Sequence, residues 1–364
     1  MSVIDKTYHH LLQTILDDGF TYEDPNRKGV NRIQIPSYTF KHDFKDGFPA
    51  ITTKKLYWKG VVAELLWILK GDTNIKYLVD NGVNIWNKDA YNYYKNDMIK
   101  KSAHFNDEET YISQIKSHGK IVDNGFVYGN LGRVYGAQWR DWQSVDLKNS
   151  MHDYEIKYVD QISNLIKGLK KNPMGTKHIV TAWNPAELDD MALPPCHYQF
   201  IILPEPLTLE ERFGKSEFNT LLDEYSEEEL DLLADEDGYP KYKFTLKFSM
   251  RSSDVFLGLP FNLSSYALLA QIIGKMTNMI PKSIIGDLSN VHIYEPHLDA
   301  VKEQLKRNVD KYDKCELRFA GEESNQGLEK GNVDIFNNLE VRNFRLRDYE
   351  SYPVIPAEML PYNK

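Results

Sequence analysis

Apolar positions recur at helical spacing at the start of the chain. Tyr8, Leu11, Leu12, Ile15 and Leu16 fall on one face, and Gly19 stands where a helix stops. Asp24-Pro25-Asn26-Arg27-Lys28-Gly29 then reads as a turn-rich loop carrying cations. Ile33, Ile35, Tyr38 and Phe40 predict a strand broken by Pro36. Leu56 to Leu69 is apolar almost throughout and predicts a helix ending at Gly71, with Glu64 inside it. Residues 88–125 are polar, rich in Lys and Asn, and read as an insertion. Val159, Ile162, Leu165, Ile166 and Leu169 predict an amphipathic helix stopped by Asn172-Pro173.

Strands are predicted over His178–Trp183 and Tyr198–Leu203, and another where Tyr242, Phe244, Leu246, Phe248 and Met250 alternate. An acidic stretch from 205 to 237 interrupts what would otherwise be a hairpin. Its Leu221, Leu222, Leu230, Leu232 and Leu233 suggest local helix rather than disorder. Pro260 to Met276 reads as a long apolar helix with Pro260 in its first turn. No repeat and no Pro/Gly/Ser-rich linker divides the chain, so one α+β domain with surface insertions is the simplest organisation.

Composition narrows the function. The 364 residues are 41% apolar and 12% aromatic, enough for a sizeable core. The net charge of -9 is concentrated: residues 205–237 hold 13 acidic and 2 basic side chains, leaving the remainder near neutral. A near-neutral body offers no broad field for a nucleic-acid polymer. Two cysteines, no apolar run of membrane length and no basic-then-apolar start point to a cytoplasmic protein, host cytoplasm if a phage encodes it. No His or Cys pair has ligand spacing, so no metal is expected.

Five places carry candidate chemistry. Met191-Ala192-Leu193-Pro194-Pro195-Cys196-His197 sets one thiol behind two prolines, a stiff approach suited to a nucleophile. Glu64 lies in an apolar helix, where an unpaired charge is costly. Arg251-Ser252-Ser253-Asp254 ends a strand, Asn262 lies beside Phe261, and His292-Ile293-Tyr294 puts two polar rings on one side of a strand. Taken singly, each has a plainer reading as a core ion pair, a cap or a hydrogen-bonded core residue. Together they supply a thiol, an acid, a cation, an amide and ring donors, which suits covalent chemistry on a small anionic substrate.

At these residues the chain resembles the thymidylate synthase family. The resemblance rests on Met191 to His197, Arg251 to Tyr266 (RSSDVFLGLPFNLSSY), Glu64 to Ile75 (ELLWILKGDTNI), Val127 to Trp139, Asp46 to Lys54 (DGFPAITTK), Val180 to Leu188 (VTAWNPAEL) and His292 to Tyr294, in the family's order. It implies one catalytic domain over residues 1–364, insertions at about 88–125 and 205–240, and a divergent C-terminal tail. The implied architecture is a mixed β-sheet flanked by helices that pairs sheet-to-sheet as a homodimer. The implied reaction moves one carbon from 5,10-methylenetetrahydrofolate to C5 of dUMP.

Residue roles follow from the resemblance. Cys196 would add to C6 of the pyrimidine, making C5 nucleophilic. Arg251 would lower the thiol's pKa and hold phosphate with Ser252. Arg27 would close over the phosphate. Glu64 would act as general acid and base, and Tyr135 would help remove the C5 proton. Asn262 would read uracil O4 and N3–H with one amide. His292 and Tyr294 would hold the sugar hydroxyl, and His197 would also contact dUMP. Lys54, Trp86, Leu193, Asp254, Gly258 and Phe261 would meet the folate, with Asp254 also catalytic.

Four departures stand out. Thr176 and Lys177 replace the family's arginine pair, leaving one point charge for phosphate. Met250 replaces a glutamine. Asp89 stands where some members carry a second folate-side tryptophan. The tail, Pro356-Ala357-Glu358-Met359-Leu360-Pro361-Tyr362-Asn363-Lys364, is longer and differently composed. If water enters after carbon transfer, hydroxymethyl-dUMP forms instead of dTMP, so a dUMP hydroxymethylase is the close alternative. A nucleotide-binding module without catalysis is the remote one.

Overall fold

The computed structural model describes residues 2–118, 122–123, 125–150 and 153–360. Parts of the 88–125 insertion (119–121 and 124) and the tail end, 361–364, lie outside the described residues.

The helix α1 (Val3–Asp18) begins at Ser2, whose hydroxyl accepts the Asp5 N–H, and stops at Gly19. A Cβ on Gly19 would sit 2.4 Å from the Ile15 carbonyl oxygen, so only glycine lets the chain turn this closely into β1 (Phe20–Glu23). The strand β2 (Asn31–Asp43) runs straight through Pro36, against the expected break. The pairing with the later strand Ile280–Tyr294 skips Pro36 and Asn290, passing from Ser37–Ser289 to Ile35–Val291. The missing proline N–H therefore falls where the ladder has a gap.

The helices α2 (Trp58–Leu69), α3 (Asn87–Lys100), α4 (Glu108–His118), α5 (Tyr135–Arg140) and α6 (Gln161–Lys171) follow. Then come the strands β3 (Ile179–Thr181), β4 (His197–Pro206), β5 (Tyr242–Met250) and β6 (Ser253–Asp254), the helix α7 (Leu259–Thr277), and β7 (Ile280–Tyr294). They form a mixed seven-stranded sheet, ordered β1-β2-β7-β5-β4-β3, with β6 beside β7. Pairing is antiparallel except for β7 with β5 and β6 with β7. Phe244, Leu246, Phe248 and Met250 point into the core beneath α7, while Lys243, Thr245 and Lys247 face away. The fold class is α+β, with helices on the inner face of the sheet.

The described residues of both stretches expected as insertions are folded largely into helices. In the first, α3 and α4 enclose a tyrosine core: the Tyr94 and Tyr111 rings stack at 4.7 Å, and the Tyr94 and Tyr128 hydroxyls pair at 3.1 Å. Its Lys- and Asn-rich composition hid this core, because an aromatic residue every few positions is enough to fill a two-helix layer. The acidic stretch does interrupt the β4–β5 hairpin, as three short helices (Leu209–Phe213, Lys215–Leu221 and Glu227–Glu236). Two capping boxes, at Thr208 and Ser226, start the first and last of these, and buried Arg212 pairs with Asp231 and Asp235.

Candidate active site

The C-terminal end of β5 and the start of β4 bring Arg251 to Cys196. The Arg251 N–H donates to the Cys196 carbonyl, and its guanidinium donates from Nε to Pro195 O and from Nη2 to Pro194 O, each at 2.8 Å. Both carbonyls lie in the proline turn, so Arg251 clamps the loop that aims the thiol. From the other side, the Tyr135 hydroxyl accepts the Cys196 N–H at 2.9 Å, and the Tyr135 ring stacks on His197 at 4.3 Å. Arg251 and Tyr135, from two distant segments, thus fix the loop that carries the sulfur.

The sulfur opens on a cavity of about 280 Å³. Around it the structure gathers most of the expected residues. Glu64, Tyr135, Asn262 and Asp254 line it with Cys196 and His197; Arg27 and Tyr294 close one side; Trp86, Leu193, Gly258 and Phe261 form the apolar wall. Ile85, Asp89, Leu257, Met359 and Leu360 also line it and were not among the expected site residues.

Burial sets the charge states. It pushes the Glu64 carboxyl up to about 7, against the single hydrogen bond donated by Trp86 Nε1 at 2.7 Å. It pushes Asp89 up to about 6, with Arg27 and Lys88 opposing. It pushes the His197 imidazole down to about 3, so the ring is neutral, paired at 2.8 Å with the Tyr266 hydroxyl. Burial raises the Cys196 pKa; Arg251 and Arg27 lower it, Asp89 and Asp254 raise it, and the balance stays above the ordinary thiol value. Arg251 acts in the expected direction but does not win against desolvation.

Asp254 organises the far wall. Its Oδ1 accepts the N–H groups of Phe256 and Leu257 at 3.1 Å each, and its carbonyl accepts from Gly258. Lys54 lies behind this loop and off the cavity wall. Its Nζ donates to Phe256 O and sits 3.6 Å from the centre of the Phe256 ring, and burial lowers its pKa to about 7. Asn262 lines the cavity and donates weakly from Nδ2 to Met250 Sδ at 3.9 Å.

Lys54 and Arg251 do not line the cavity, and three more expected residues stand apart. His292 is buried beside Tyr294, with Nδ1 held by Asn290 O at 2.7 Å, and does not line the cavity. Ser252 is half-buried in the turn after β5, also off the wall. Lys177, with Thr176 and His178, lines a different surface cavity beside α6. The tail, by contrast, reaches in. Arg27 Nε donates to Leu360 O at 3.3 Å, and His297 Nε2 pairs with Glu358 O at 2.9 Å. Among the described residues, no group of three or more His, Cys, Asp or Glu is placed to hold a metal ion.

Tyr266 and Tyr93 also support the site. Tyr266 follows Asn262 by four residues on α7, a spacing that could have marked it. Tyr93 donates to Asp190 O at 2.7 Å, tying α3 to the loop before Cys196, and carries no local sequence signal.

A clamped thiol, a carboxyl that burial lifts to about 7 and a side-chain amide in one apolar-walled cavity define an enzyme of covalent nucleophilic catalysis. The thymidylate synthase family model matches residues 6–361. Proteins named thymidylate synthase from Mycoplasma pneumoniae and Mesoplasma florum are 36% and 34% identical to this chain, over 97% of its length and 98% and 99% of theirs. One from Mycoplasma genitalium is 37% identical over 84% of the chain and 86% of its own length. The chain belongs to the thymidylate synthase family.

Proposed function

We propose that this protein makes dTMP, transferring one carbon from 5,10-methylenetetrahydrofolate to C5 of dUMP and releasing dihydrofolate. The observation that carries the proposal is the convergence of Cys196, Glu64, Tyr135 and Asn262 on one cavity. Cys196 attacks C6, turning C5 into the nucleophile. Asn262 offers a donor and an acceptor together, which matches uracil O4 and N3–H. Glu64, poised near neutral, takes and returns protons without needing a large pH excursion. The buried Tyr135 hydroxyl accepts from the Cys196 N–H, and burial holds its pKa well above the ordinary value, so it would help remove the C5 proton through a hydrogen bond and not as a phenolate. Trp86, Leu193 and Phe261 give the folate an apolar bed, with Asp254 and Gly258 at its edge and Lys54 behind the loop.

Phosphate falls to Arg27 at the cavity mouth, with Arg251 and Ser252 beside the thiol. Lys177 lies beside a different cavity and reaches the phosphate only if a second copy supplies it. A homodimer would bury the outer sheet face, where Ile179, Ile201, Lys247, Ile285 and Lys41 form one row across five strands. No described helix is long and apolar enough to cross a membrane. The thiol chemistry, with both cysteines free, fits a reducing cytoplasm.

Met359 and Leu360 at the cavity favour exclusion of water, and hence the methyl product. The test is product analysis. Enzyme, dUMP and 5,10-methylenetetrahydrofolate should yield dTMP and dihydrofolate in equal amounts, and Cys196→Ser should lower turnover by orders of magnitude. Tetrahydrofolate as the sole folate product, with an added oxygen on the nucleotide, would overturn the methyl assignment.

A further inference from the structure

Asp89 has no role in the scheme above. It lies in the first turn of α3, three residues after Trp86, and both line the cavity that holds Cys196. Among the described residues, the Asp89 carboxylate has no hydrogen-bond or ion-pair partner. A partly desolvated carboxylate without a partner is costly, and native structures keep few of them without a use. Its position at a helix N-terminus offsets part of that cost but does not explain why the group faces a ligand cavity.

The charged groups that face Cys196 are Arg251 and Arg27 on one side of the balance, and Asp89 and Asp254 on the other. Asp254 is already engaged by two backbone N–H groups, whereas Asp89 is not. Asp89 itself faces Arg27 and Lys88. Arg27 in turn holds the tail through Leu360 O. A hydrogen bond donated to Asp89 by a ligand would draw off part of its negative charge and so weaken its opposition to the thiolate.

We propose that Asp89 is a specificity-determining residue of this cavity: it accepts a hydrogen bond from an N–H group on the heterocycle of the one-carbon donor, and without that donor its carboxylate, on the same cavity wall as Cys196, slows the reaction of the thiol with electrophiles. The ligand half of this proposal rests on the one-carbon-transfer reading, while the charge half does not. Together they make the nucleophile most reactive when the second substrate is in place, which limits adventitious modification of an exposed thiolate.

The experiment has two arms, both on the full chain. In the first, the free protein is alkylated with iodoacetamide from about pH 6 to about pH 10, and Cys196 modification is followed by peptide mass. Removing the charge in Asp89→Asn should speed alkylation near neutral pH by about threefold to tenfold and move the profile to lower pH, while Asp89→Glu should follow the wild type. An Asn profile that superimposes on the wild type, or a Glu profile that follows Asn, overturns the charge assignment. In the second arm, Asp89→Leu should raise KM for 5,10-methylenetetrahydrofolate about tenfold with KM for dUMP little changed. An unchanged folate KM overturns the hydrogen-bond assignment. If the wild type itself turns over no dUMP, the functional reading and the ligand half fall together, and the alkylation arm still judges the charge half.

Discussion

At the residue scale, the same side chains that mark the site in the sequence behave differently once buried together. Arg251 illustrates this. A cation beside a thiol reads as an activator, yet its Nε and Nη2 are spent on the Pro194 and Pro195 carbonyls, and it serves first as a clamp. Glu64 gives a pH prediction. Its folded pKa of about 7 lies above the ordinary 4.5, so between those values the folded state binds more protons than the unfolded chain. Stability therefore falls as pH rises through that window, by roughly 2–3 kcal/mol from this group between pH 5 and pH 8. Gln cannot ionise, so the stability of Glu64→Gln relative to wild type should grow by that amount over the same interval. Urea denaturation at the two pH values checks this, and a pH-independent difference would exclude the shift.

At the scale of elements, local pattern and long-range fit separate. The period of apolar positions was enough to place α1, α2, α6 and α7 and the alternating strand β5, because each has one face against the core. It failed at Pro36, where the tolerance depends on a partner strand far along the chain, and in α3–α4, where sparse aromatics hold a polar layer together. The loop before Cys196 is held by such distant fits. Gly132 has φ of +77°, and a Cβ there would lie 2.1 Å from Asp190 O. Gly238 has a similar φ of +74° with nothing within 4 Å. Gly238→Ala should therefore cost only the conformational strain, about 1 kcal/mol, whereas Gly132→Ala should cost at least about 2 kcal/mol more by displacing backbone. Chemical denaturation of the pair measures the difference. Equal losses would mean that the Asp190 loop yields freely and does not hold the thiol in place.

For the whole molecule, the outer sheet face is where the proposed dimer would form. Ile179 and Leu203 are exposed there, on a surface that otherwise mixes Lys, Asp, Thr and Ser. A sheet-to-sheet dimer would bury Ile201 near the middle of this face. Ile201→Asp should then shift the sedimenting species from dimer to monomer at micromolar concentration and lower turnover with it, since an unpaired charge would be buried at the contact. A wild type that sediments as a monomer would remove the dimer from the proposal. At the same scale, the tail closes the cavity from the far end of the chain. Leu360 O accepts from Arg27, 333 positions earlier, and Met359 shares the cavity wall with both.

The sequence alone determined which residue types are available and in what order: a thiol behind two prolines, a carboxyl in an apolar helix, an amide at the start of another. It also determined the family, because ordered blocks of such residues are long and specific. Tertiary structure decided what those groups are. It set the thiol above its ordinary pKa, turned an arginine into a clamp, kept Lys177 out of the cavity and brought Asp89 and the tail into it. Local order follows from periodicity, which neighbouring residues encode. Desolvation and charge are summed through space over segments that the chain keeps far apart, so only the fold could assign them.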